Sequence, residues 1–194
     1  MIALTQTCAK LLIALVLLPT LAGHVVVSQS SSPSKGDDSK AMRSIKLLIS
    51  TDQKKYSLLD SVELDVALRN VGDTPVYMDR RLEWGGYGGG LKLDIRDEQG
   101  RNVPLGILND AILPPPQEND SSVLVRLDEG RFYGTWVNLP TKQLFHSPGR
   151  YSIRVVYKSW LRKEYLESHL RSLPGIWSDD PPIVSEPIWI EIVP

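Results

Sequence analysis

Ile45, Leu47 and Ile49 alternate with polar neighbours, and the alternation returns at Val62, Leu64, Val66 and Leu68, opposite Glu63, Asp65 and Arg69. A period of two marks a strand with one buried face. The pattern recurs at Leu91, Leu93 and Ile95, at Val123, Val125 and Leu127, at Tyr151, Ile153, Val155 and Tyr157, and at Ile188, Ile190 and Ile192. Weaker runs at 76–82 and 132–139 read as further strands. Turn chemistry separates them: "NVGDTP" at 70–75, "DEQGR" at 97–101, "DEG" at 128–130 and Pro148-Gly149. One segment breaks the rule. In "SWLRKEYLESHLRSL", Trp160, Leu161, Tyr165, Leu166, His169, Leu170 and Leu173 recur at three- and four-residue spacing, which predicts an amphipathic helix over 159–173. Ser159 is its expected cap and Pro174-Gly175 its stop.

Seven or eight short strands with frequent turn signals predict an all-β fold, an antiparallel β-sandwich with one helical insertion before the last strand. A tyrosine just after a turn glycine, Gly149-x-Tyr151, occupies the corner position of immunoglobulin-like sandwiches, where the hydroxyl bonds back to the upstream backbone. The order of "STDQKKYSLLDSVELDVALRNVGDTPV", "LDIRDEQGRNVPL", "LDEG" and "PGRYSIRVVY" resembles bacterial exported immunoglobulin-like domains of the fibronectin or invasin type. It is also similar to small bacterial proteinase inhibitors with a sandwich fold. The resemblance covers about 45–157 and the final strand. It implies an immunoglobulin-like fold and leaves function open, because such sandwiches host many unrelated roles.

Ahead of the strands the chain reads differently. Lys10 precedes the apolar run "LLIALVLLPTLAG" at 11–23, which has the length of a signal-peptide core and is short of the roughly 20 residues that span a bilayer. The expected organisation is a signal peptide at 1–23, a flexible serine-rich linker at 24–43 ("QSSSPSKGDDSK" within it) and a domain at 44–194. Periplasmic or secreted localisation follows, or anchorage through an uncleaved signal. Cys8 is the only cysteine and lies before the apolar run, so the mature domain is expected to be cysteine-free, without disulfides or a thiol nucleophile. The 22 basic and 23 acidic residues leave a net charge of −1, with none of the excess of positive charge that nucleic-acid binding requires.

The glycine-rich stretch "LEWGGYGGGLKLDI" at 82–95 poses the question of a phosphate loop. Such a loop leads into a helix. Here it leads into the alternating Leu91-Lys92-Leu93, so the expectation is a strand-to-strand loop displaying Trp84 and Tyr87, or a turn with Trp84 folded over the domain end. Trp160 and Trp177 flank the expected helix, either anchoring it or displaying aromatic rings. Trp136 and Trp189 fall in strands as core or sheet-face residues. His146 and His169 have no partner at metal-ligand spacing, and no nucleophile elbow occurs. No catalytic residue, metal or cofactor is expected. The reading is a non-enzymatic exported binding or structural module. Trp84, Tyr87, Trp160 and Trp177 are its candidate contacts with a protein or glycan of the cell envelope. A proteinase inhibitor presenting "ILPPPQENDSS" and a carbohydrate-binding module are the alternatives.

Overall fold

A computed structural model of the chain describes residues 44–85, 90–105 and 119–194. The signal and linker segments expected at 1–43 lie outside it, as do Tyr87 and most of the proline-rich stretch. The strands are β1 (Ile45–Thr51), β2 (Lys55–Ser57), β3 (Ser61–Asn70), β4 (Val76–Asp79), β5 (Leu91–Asp97), β6 (Leu124–Leu127), β7 (Phe132–Pro140), β8 (Gly149–Tyr157), β9 (Ile183–Val184) and β10 (Ile188–Val193). A single helical turn, α1 (Thr141–Leu144), and two one-turn 3-10 helices complete the described elements. The fold is all-β. The two shortest strands, β2 and β9, were not anticipated from the sequence, because two or three residues are too few to show a period.

Three sheets form: β1-β3-β7, β2-β10-β8-β5 with β9 also on β8, and the pair β4-β6. Pairing is antiparallel except between β10 and β2, which run parallel. The two larger sheets bury their alternating residues in one core. Val62, Leu64, Val66 and Leu68 of β3 and Ile153, Val155 and Tyr157 of β8 are at most 2% exposed. Burying each such side chain contributes roughly 1.5–3 kcal/mol.

Polar groups fasten the ends of these strands. Asn70, wholly buried, donates from Nδ2 to the carbonyls of Thr74 (2.8 Å) and Leu127 (2.9 Å), while its Oδ1 accepts from the Gly72 N–H (2.9 Å). The turn expected at 70–75 is thereby tied to β6. The Tyr151 hydroxyl donates to the Ser147 carbonyl at 2.8 Å, the upstream backbone bond anticipated from Gly149-x-Tyr151. Between β9 and β10, Ser185 gives its N–H to Val155 O (2.9 Å) and takes the Val155 N–H on Oγ (3.0 Å). Pro187, which has no N–H to contribute, then interrupts the ladder before β10 begins.

The helix expected over 159–173 does not form. In its place the chain makes a 3-10 turn at Lys163–Tyr165 and further turns at 168–172. Tertiary partners take the carbonyls a helix would use: Ser178 N bonds Leu161 O (2.8 Å), Asn119 N bonds Tyr165 O (2.6 Å), and the Arg171 guanidinium holds Leu166 O (2.7 Å). Leu161 and Leu166, five positions apart and both 0% exposed, enter a second apolar cluster with Val123 and Trp177. Trp160 and His169 turn outward instead. The segment also completes β4. Tyr77 N–H bonds Pro174 O, and Ile176 N–H bonds Tyr77 O, both at 2.9 Å. This packing overrides a helical spacing that is only a weak local preference.

Candidate functional site

The four aromatic residues singled out in the sequence do not gather in one place. Trp84 is 7% exposed, is bridged to Leu91 at the root of the glycine-rich loop, and packs into the main core. Trp177 is 3% exposed, with the Lys163 ammonium 5.6 Å from its ring centroid. Both are packing residues in this fold. Trp160 presents a half-exposed ring, and Tyr87 lies outside the described residues.

Other aromatics are displayed as well as Trp160. Trp189 falls between the inward Ile188 and Ile190, and the alternation of β10 turns it to the outer face, 46% exposed. Arg150 on β8, two positions from Trp189's direct partner Ser152, lays its guanidinium 5.4 Å from the ring centroid. Below them runs a groove. One stretch, of about 580 Å³, is lined by Ile49, Ser50, Thr51 and Lys54 on one wall and by Arg150 and Ile188–Glu191 on the other. A second stretch of about 370 Å³, sharing Ile49 and Ile188, continues along β1 to Ile45 and along the facing wall to Ile183 and Val184.

Strand phase explains what this groove offers. Val71 N–H bonds Ser44 O (2.7 Å), which sets the β1-β3 ladder so that residues 44, 46, 48 and 50 face β3. Alternation then turns the peptide groups of Ile45, Leu47, Ile49 and Thr51 away from β3, toward the groove. On the facing wall, Glu191 N–H bonds Lys54 O (2.8 Å), so the peptide of Trp189, two residues earlier, points to the same open edge. None of these N–H groups has a backbone partner among the described residues. The charge along the first stretch is positive. Glu191 is balanced by Lys55 (3.4 Å), leaving the ammonium of Lys54 and the guanidinium of Arg150 on the rim.

Among the described residues no group of His, Cys, Asp or Glu is placed to hold a metal ion. The exposed His169 imidazole lies 3.3 Å from the Glu167 carboxylate. Among the described residues a largely buried charged pair is Asp79 with Arg81, whose guanidinium donates at 2.9 and 2.6 Å and whose backbone N–H donates at 3.0 Å to the Asp79 carboxylate. That bond with Asp79 is what raises the Arg81 guanidinium above its ordinary range. The pair lies away from the groove and serves to close the end of β4.

No protein-family model matches the chain, and no curated protein matches it. Among solved structures, a b-glucosidase from Erythrobacter marinus aligns over 77% of this chain at 17% identity and a TM-score of 0.38. A beta-glucosidase from Listeria innocua, in complex with isofagomine, aligns over 76% at 15% identity and a TM-score of 0.35. The same Listeria innocua enzyme with glucose gives 13% identity and a TM-score of 0.36. The chain covers only 15–16% of the length of those proteins. Likeness at this level defines neither the fold nor an activity of this chain.

Proposed function

We propose that this is an exported, non-enzymatic binding module of the cell envelope. Its scaffold is an immunoglobulin-like sandwich, and its contact surface for an extended stretch of a protein partner is the groove between β1 and β10. Two features support the scaffold: the orders β1-β3-β7 and β2-β10-β8-β5 with a parallel β2-β10 pair, and the Tyr151 hydroxyl bonded to Ser147 O. The observation that carries the function is the groove itself. Its walls are two strand edges, Trp189 lies on its rim under Arg150, and peptide groups with no backbone partner among the described residues face inward. An extended chain adding to such an edge gains main-chain hydrogen bonds for affinity and alternate side-chain pockets for specificity.

Affinity capture from envelope extract, with the parent chain beside Trp189→Ala and a control at the half-exposed Trp160, Trp160→Ala, tests this. A partner retained by the parent and lost with Trp189→Ala supports the groove. Equal retention by all three sinks it. A glycan in the retained fraction that shifts tryptophan fluorescence only when Trp189 is present would make the module carbohydrate-binding instead. Slowing of secreted proteases by the parent chain would favour the inhibitor reading.

A further inference from the structure

The other end of the three-stranded sheet carries a separate surface. β7 is nine residues long, "FYGTWVNLP", and holds no charged side chain. Among the described residues it is an edge, since the sheet order β1-β3-β7 stops there. The Asn70 N–H to Arg131 O bond (2.9 Å) sets the β3-β7 phase, so Phe132, Gly134, Trp136 and Asn138 turn their peptide groups outward. None of their N–H groups has a backbone partner among the described residues. Phe132 and Trp136 are 71% and 63% exposed on the outer face of the same strand. Folded proteins protect open edges with charges, prolines, bulges or brevity. Between Phe132 and Asn138, β7 has none of these.

We infer that β7 pairs antiparallel with β7 of a second copy of this chain about a two-fold axis at Gly134, joining two three-stranded sheets into one of six strands. A second copy is favoured over a foreign strand because the surface is complementary to itself. The two-fold sets Gly134 against Gly134 and each Phe132 against the second copy's Trp136, and directly opposed aromatic residues are favourable cross-strand pairs. The charges complement as well. On the outer face Lys46, Arg69 and Phe132 share one row, and Ser50, Asp65 and Trp136 share another. Pairing extends the basic row of one copy into the acidic row of the other, twice. The inner side has room to match. A cleft of about 460 Å³ separates Tyr133, Gly134 and Thr135 from Arg80–Glu83, Ser122 and Val123. The same symmetry directs the second copy's Tyr133 and Thr135 toward it. This surface is distinct from the β1-β10 groove, and the inference does not depend on the groove's role.

The test is sedimentation velocity of the purified full chain across a concentration series, with Trp136→Glu, Phe132→Glu and, as control, Trp189→Glu. Far-UV circular dichroism establishes that each variant is folded. The parent and Trp189→Glu are expected to be dimers. Each β7 variant, struck twice by symmetry, is expected to dissociate at concentrations roughly tenfold higher or more. A parent that stays monomeric throughout, or folded β7 variants that dimerise as the parent does, overturns the inference. Register is read separately. In a Cys8→Ser background, spin labels at Asn138→Cys should lie about 27 Å apart, eight residues at about 3.4 Å each. A dimer with another spacing overturns the Gly134-centred pairing.

Discussion

Tyr56 shows how one hydroxyl can be held by its surroundings. It is 1% exposed, donates to Asp52 Oδ1 at 2.6 Å and accepts the Gln53 N–H at 2.9 Å. Burial first, and the bond to Asp52 second, push its pKa up to about 12 from an ordinary 10.0. The folded state therefore keeps this proton where the unfolded chain sheds it. The stability so gained is whole below pH 10 and is lost as pH rises through about 12. Burial pushes Tyr157 in the same direction. Denaturant titrations at stepped alkaline pH should show stability falling across this window, with a shallower fall for Tyr56→Phe. Tyr151 is a simpler case. Removing its hydroxyl deletes one bond to Ser147 O, and Tyr151→Phe should cost about 1 kcal/mol in chemical denaturation near neutral pH.

Among the elements, the segment that replaces the expected helix depends on a glycine. A Cβ at Gly175 would sit 2.2 Å from Cζ2 of Trp177, a ring already packed against Leu161 and Leu166. Gly175→Ala should therefore destabilise the protein by roughly 1–3 kcal/mol in denaturant unfolding, with a change in tryptophan emission as the Trp177 ring is displaced. The same region marks where sequence reading reached its limit. The long strands were legible because alternation of Val62, Leu64, Val66 and Leu68 admits one buried face. The spacing of Trp160 through Leu173 admitted a helix equally well, and contacts with residues 119, 123 and 174–178 decide otherwise. Trp189 and Trp136 were legible in part. Each sits on the face opposite its strand's buried residues, so alternation alone gives their exposure. The groove was not legible at all, since it arises where the edges of β1 and β10, far apart in sequence, come side by side.

At the scale of the molecule, the two proposed surfaces lie on opposite edges of one sheet, β1 at one end of the order and β7 at the other. Pairing through β7 would leave both grooves open and make the assembly bivalent. On a surface dense with partner, Trp136→Glu should then shorten retention by roughly a hundredfold or more through lost avidity, while Trp189→Ala abolishes capture. Surface plasmon resonance at high and low partner density separates the two effects, because the Trp136→Glu defect should vanish at low density.

The place of β10 carries a consequence for the order of events during synthesis. It is inserted between β2 and β8, whose residues emerge from the ribosome far apart in time, and it is the last of the described strands to be made. β1, β3 and β7 can assemble as soon as residue 140 is available. The larger sheet cannot, because β2 has nothing to pair with until residues 191–193 arrive. Until then β8 can pair with β5 on one side, and its other edge at residues 149–153, where β10 will pair, is left to whatever meets it first.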